Sequence, residues 1–221
     1  MQLSRRIVLD LAPAERAAAE LPGAYARQLD VTSSASMRDF VQDVGDRLGP
    51  IDVFVNNAGI MPTGAFLTQS DQAEQALVAI NLHGPAHGMR AVLPGMIARS
   101  SGHVVNVSSY AGKAPIPGLS MYCASKTALA ALSETVRQEI EGSGVTLSVV
   151  LPSAVDTELS SGISFPFEKY AKVSPEQVAE AVVRTIGKKR KREVVVPRWL
   201  GYYELLSTVR LSSVSWRPDS C

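Results

Sequence analysis

Five short stretches are apolar almost without interruption: "RIVLDL" (6–11), "VFVNNAG" (53–59), "GHVVNVSS" (102–109), "VTLSVVLP" (145–152) and "EVVVP" (193–197). Strands covered on both faces, as in a parallel sheet, read this way. A weaker strand is expected at 24–29, "AYARQL". Between the runs the apolar period lengthens. Met37, Phe40, Val41, Val44 and Leu48 fall on one helical face, and Leu129, Leu132, Val136 and Ile140 repeat the pattern. In "SPEQVAEAVVRTI", Ser174 is the N-cap, Pro175 the first helical residue and Gln177 the capping-box partner. Strand alternating with helix predicts βαβ units and an α/β fold, a Rossmann-like doubly wound parallel sheet with helices on both faces. Neither an internal repeat nor a linker divides the chain. One domain is expected over residues 1–200, followed by an apolar tail at 201–221.

Composition narrows the class. The chain has 221 residues, 46% hydrophobic and 19% charged, which is globular rather than disordered. A net charge of +1 offers no global field for nucleic acid. Two cysteines, Cys123 and Cys221, are too few for a disulfide framework and fit a reduced compartment. The start, "MQLSRRIVLDLAP", makes a poor signal peptide, and no stretch is long and apolar enough to span a membrane. A cytoplasmic protein is expected.

Candidate chemistry sits at the ends of the strand runs. Asn56-Asn57-Ala58-Gly59 closes one of them, where open α/β sheets bind ligands. Small residues there admit a ligand to the backbone, although the same residues are good turn formers. Ser108 and Ser109 close the next run, ahead of a Gly/Pro-rich loop. Thirteen residues after Ser109 comes Tyr122, and Lys126 lies four further on. On a helix, positions i and i+4 share a face. A free phenol has a pKa of about 10, and a neighbouring ammonium favours the phenolate. Such a phenol exchanges a proton with a carbonyl or alcohol oxygen, and a serine hydroxyl supports that oxygen as it gains charge.

Asn-Asn-Ala-Gly, then Ser109, then Tyr122-x-x-x-Lys126, in this order and spacing, resembles the short-chain dehydrogenase/reductase family. The resemblance covers roughly residues 5 to 200. Asp30-Val31 match the family's adenine contact, Asn81 in "AINLHG" its helix asparagine, and "PSAVDT" (152–157) its Pro-Gly-x-x-x-Thr segment, with Ser153 replacing Gly. The resemblance implies an NAD(P)-dependent oxidoreductase interconverting a secondary alcohol and a ketone, or reducing an aldehyde. It implies Tyr122 as acid/base, Lys126 as its tuner and ribose holder, Ser109 as oxyanion partner and Asn81 as holder of a water that links Lys126 to solvent. Asn57, Ala58, Gly59, Pro152, Val155 and Thr157 would line the cofactor. Asp10 stands where the family reads the ribose; a carboxylate there favours NAD over NADP. A homodimer or homotetramer acting on an apolar carbonyl or alcohol is expected.

One departure stands out. The family opens with a strand and a Thr-Gly-x-x-x-Gly-x-Gly turn that carries the pyrophosphate, and this sequence has no such motif. The family's sheet order, 3-2-1-4-5-6-7, makes that strand central, and unpaired interior backbone is costly. Three explanations are open. The true start lies upstream of Met1, which the sheet order favours; the gene is a degraded copy; or the chain serves another role as a non-catalytic remnant or binding module.

Other features carry less. "KKRKR" (188–192) reads as a solvated connection, and His83, His87 and His103 show no metal-ligand spacing. Cys123 reads as a small buried filler. By resemblance, residues 158–173 form a lid, whose Phe165, Phe167 and Tyr170 suggest apolar substrate surface. The tail would cover the pocket, join a subunit interface or lie on a membrane surface; the sequence leaves the three open.

Overall fold

The computed structural model describes residues 11–156, 172–186 and 191–201. Their elements run α1 (Leu11–Glu20), α2 (Ser34–Leu48), β1 (Val53–Asn56), α3 (Asp71–Val78), α4 (Gly84–Ala98), β2 (Gly102–Val107), α5 (Ser120–Glu139), β3 (Val145–Pro152), α6 (Pro175–Ile186) and β4 (Glu193–Val196). The strands form one sheet in the order β1-β2-β3-β4, every pair parallel. Val53 stands opposite His103, Gly102 opposite Val145 and Val149 opposite Glu193.

The continuous apolar runs find their reason here. Every residue of β2 is buried, because helices cover both faces of the sheet. On one face Met89, Val92, Leu93 and Met96 of α4, with Leu132 and Val136 of α5, pack on Val104, Leu147, Val149 and Leu151. On the other, Val178, Ala181 and Val182 of α6 pack on Val105, Val150 and Val196. Each fully buried aliphatic side chain contributes about 1.5–3 kcal/mol. The predicted face of α2 is inward, with Met37, Phe40 and Val44 buried beside Leu29. Ser33 caps that helix by accepting from the Ser36 N–H.

The α6 capping box forms as expected: Ser174 N–H donates to Gln177 Oε1 at 2.8 Å, and Gln177 N–H donates to Ser174 Oγ at 3.3 Å. One expectation differs. Residues 24–30 form no strand; among the described residues nothing offers them a ladder, and their apolar side chains pack against α2 instead. Of the run 6–11, residues 6–10 lie outside the described residues, and Leu11 opens helix α1. The Ala-rich "AERAAAE" of α1 has high helix propensity, a signal that the hydrophobic pattern overlooks. Residues 158–171 of the expected 158–173 lid, most of the basic run and the tail beyond 201 also lie outside the described residues. No described helix is long and apolar enough to cross a membrane.

Candidate active site

Three strand ends and one helix build the site. Past β2 the chain stays extended through Ser109 (φ −159°, ψ 151°), then makes a short 3-10 turn, Tyr110–Gly112. Ser108 Oγ donates to the Lys126 carbonyl at 2.8 Å, fastening this strand end to the first turns of α5. The Ser109 hydroxyl accepts from the Ala111 N–H at 3.1 Å and lies 3.4 Å from the Pro152 carbonyl at the end of β3. It also lies close enough to the Tyr122 phenol to favour loss of the phenol's proton. The loop after β2 thus returns Ser109 to the helix that carries Tyr122, as the thirteen-residue spacing suggests.

Tyr122 and Lys126 are one turn apart on α5 and both are buried, at 7% and 4% exposure. Lys126 Nζ donates to the Val107 carbonyl at 3.1 Å and stands 5.7 Å from the centroid of the Tyr122 ring. Burial dominates both groups. It pulls the lysine down from 10.5 to about 8, because the low-dielectric surroundings disfavour the ammonium. It pushes the Tyr122 phenol above its usual value, an effect that the nearby Ser109 hydroxyl opposes and the neighbouring Cys123 reinforces. The sequence suggests a phenol made more acidic by its lysine; in the structure burial raises the phenol, and Ser109 rather than Lys126 opposes it.

The third strand end is Asn56–Gly59. Asn56 Nδ2 donates to Asn106 Oδ1 at 2.7 Å, and Asn106 Nδ2 donates to Ser133 Oγ at 2.8 Å, so a buried polar chain ties β1 to β2 and α5. Asn57 is exposed, while Ala58 and Gly59 are half-buried. A β-carbon on Gly59 would lie 3.3 Å from Asn81 Oδ1 and 3.4 Å from Lys126 Nζ, so only glycine leaves this crevice open.

Asn81 is fully buried in a π-turn, Ala79–His83, between α3 and α4. Its Oδ1 accepts from the Ile60 N–H and its Nδ2 donates to the Ile60 carbonyl, both at 2.9 Å. A widened turn of this kind often marks a functional position. Nδ2 also reaches Ser125 Oγ at 3.3 Å. Sequence reasoning passed over Ser125, Ile60 and the Val107 carbonyl. A serine inside the Tyr-to-Lys turn was a visible signal for the first; backbone partners leave none.

Asn81, Ser109, Tyr122, Lys126, Gly59 and Pro152 therefore converge. Asp30 and Val31 lie elsewhere, against the first turns of α4. Val31 abuts Gly84, its carbonyl stands 3.2 Å from His87 Nδ1, and the exposed Asp30 carboxylate accepts from the Thr32 N–H and hydroxyl, which holds it below the usual carboxylate range. Val155 is half-buried and bridges to Val173. Asp10 and Thr157 lie outside the described residues. Cys123 is buried, as a filler should be.

Comparison with known proteins supplies a context. The family described as short chain dehydrogenase matches residues 5–165. The ketoacyl reductase HetN of Nostoc sp. is 39% identical over 175 residues, an alignment covering 78% of this chain and 61% of that protein's length. A short-chain dehydrogenase from Streptomyces avermitilis superposes with a TM-score of 0.76 at 28% identity, covering 91% of this chain and 83% of that one. A metagenomic short-chain oxidoreductase in complex with NADP gives 0.73 at 28% identity, covering 86% and 83%.

Proposed function

The chain belongs to the short-chain dehydrogenase/reductase family, and on that premise we propose that it is a nicotinamide-dependent oxidoreductase interconverting a secondary alcohol and a ketone, or reducing an aldehyde. The observation that carries this reading is the meeting of Ser109, Tyr122, Lys126 and Asn81 beyond the carboxyl ends of parallel strands, where open α/β sheets take their ligands.

The residues present fit the nicotinamide end of a dinucleotide. The crevice at Gly59 is bounded by the Lys126 amine and the Asn81 amide oxygen, a polar cradle for a ribose. By the family resemblance Asn57, Ala58, Pro152 and Val155 would line the cofactor. The cofactor, NAD or NADP, supplies or accepts the hydride when bound; the NADP-bound solved relative makes NADP(H) the first to test. Tyr122 gives its proton to the substrate oxygen during reduction and takes one from the alcohol during oxidation. Ser109, beside that phenol, turns its hydroxyl proton to the same oxygen as charge builds on it. Lys126 favours the phenolate that remains, and Asn81 holds the strand end beside it.

The surroundings favour an apolar substrate. Ile60, Met61, Ile116 and Met121 pack around the cluster of Leu77, Leu119, Tyr122 and Cys123. The loops carrying Ile60 and Ile116 are joined by the Gly64 N–H donating to the Gly118 carbonyl at 3.0 Å. A medium-chain acyl ketone is a fitting first substrate, in keeping with the ketoacyl reductase relative.

Two measurements on the 221-residue chain test the reading. NADPH fluorescence should show saturable binding; a folded chain that binds neither NADPH nor NADH defeats the proposal for the 221 residues and favours the non-catalytic remnant. Tyr122→Phe should cut turnover at least about 100-fold and leave nucleotide binding intact. Turnover that survives the substitution refutes the acid/base role.

A further inference from the structure

We propose that Ser125 is a positioning residue of this site, acting through Asn81 to fix the strand-end crevice against the Tyr122–Lys126 turn. The inference rests on the reading of that turn as acid/base machinery. Ser125 is 4% exposed and stands between the two residues on α5. Its hydroxyl donates to the Tyr122 carbonyl at 2.8 Å. A hydroxyl has a single proton, so toward Asn81 this oxygen presents lone pairs only. The Asn81 Nδ2 group answers it at 3.3 Å.

Both amide protons of Asn81 are engaged, and its oxygen accepts once. Oδ1 accepts from the Ile60 N–H, one Nδ2 proton goes to the Ile60 carbonyl, and the other goes to Ser125. Turned over, the amide would set its oxygen against two acceptors and its NH2 against a donor. Ile60 directly follows Gly59, whose crevice faces Asn81 Oδ1 and Lys126 Nζ. Ser125 thus couples the helix that carries the proton donor to the loop that shapes the crevice, without touching either reacting group. Without its oxygen, one Nδ2 proton sits buried with no acceptor, and the π-turn loses its only side-chain bond to α5 among the described residues.

The test compares Ser125→Ala with Ser125→Thr, which keeps the hydroxyl, on the full chain. Hydrogen exchange of the Asn81 side-chain NH2 is followed by nuclear magnetic resonance, and the Tyr122 titration by carbon-13 at the ring Cζ; Asn81→Asp and Tyr122→Phe assign the signals. Ser125→Ala should accelerate exchange of one Asn81 proton about fivefold, the worth of one hydrogen bond, and displace the Tyr122 midpoint, while Ser125→Thr restores both. A folded Ser125→Ala with unchanged amide exchange and unchanged titration overturns the proposal. If Ser125→Ala does not fold, Ser125→Cys, similar in size and a much weaker partner, is read in the same way. Neither signal requires turnover. Loss of the acid/base reading, seen as turnover surviving Tyr122→Phe, is therefore distinguishable from loss of this one.

Discussion

Lys126 is the residue whose surroundings make the sharpest demand. An amine 4% exposed that loses its proton near 8 rather than 10.5 carries a folding penalty in its charged form. The sign follows from linkage. Between about 8 and 10.5 the unfolded chain binds more protons at this site than the folded one, so this group's contribution makes stability rise with pH across that window. The penalty is full below about 8 and gone above 10.5. Its size is about 3 kcal/mol, reduced by the hydrogen bond to the Val107 carbonyl that the ammonium makes. Lys126→Met keeps the length and removes the charge. Urea midpoints of the variant should exceed those of the parent below pH 8, with the gap closing toward pH 10.5. A gap that is constant with pH would mean that the amine is solvated in the folded chain. Tyr122 and Cys123, whose protons burial makes harder to lose, act oppositely at high pH but are common to both proteins. At this scale the pairing of Tyr122 with Lys126 was readable from helix spacing and Ser109 from its place at a strand end, while Asn81 was readable only through the family resemblance. The balance between desolvation and ion pairing was not, since burial is a property of the packed state.

Among the elements, the turns at the amino ends of β2 and β3 lean on one another. Gly144 precedes β3 with φ +81°, and a β-carbon there would fall 2.4 Å from the Ser100 carbonyl oxygen, itself in a turn with φ 50° ahead of β2. Gly142 has the same φ of +81° but open space around it. The pair separates backbone preference from close approach. Gly142→Ala should cost about 1 kcal/mol, the left-handed penalty alone. Gly144→Ala should cost at least about 3 kcal/mol, because backbone must move as well. Denaturant unfolding of both checks this, and equal costs would show that the Ser100 turn yields freely. The α6 capping box offers a milder companion: Ser174→Ala should lose about 1 kcal/mol. Strands, amphipathic helices and that cap were readable because each is written in local residue order. The π-turn at 79–83 was not, for it is held by Asn81 reaching Ile60, a contact between segments twenty-one residues apart.

At the scale of the whole molecule, the parallel sheet is the frame that brings the site together, and the ladder determines which segments share in it. β2 and β3 are each paired on both sides, and both are buried throughout but for Thr146. Residues 24–30 were expected to hold a strand yet have no ladder with any of the described residues, and only Leu29 among them is fully buried. β-propensity reflects fit to a pleated, half-buried surface, so a segment shows it only where a neighbouring strand is present. The sequence pattern expresses what a segment would do beside a partner; whether that partner is in place depends on the rest of the fold. Protection from hydrogen exchange reads this directly, because amides in a doubly flanked strand open only with the core, whereas unpaired amides exchange by local fluctuation. Peptides over 24–30 should exchange at least about 100-fold faster than peptides over 102–107 in the native chain. Comparable protection would place 24–30 in a ladder with chain outside the described residues, and the sheet would then extend beyond β1. The distinction bears on function, since Asp30 and Val31, the expected adenine contacts, are held only as firmly as the segment that ends in them.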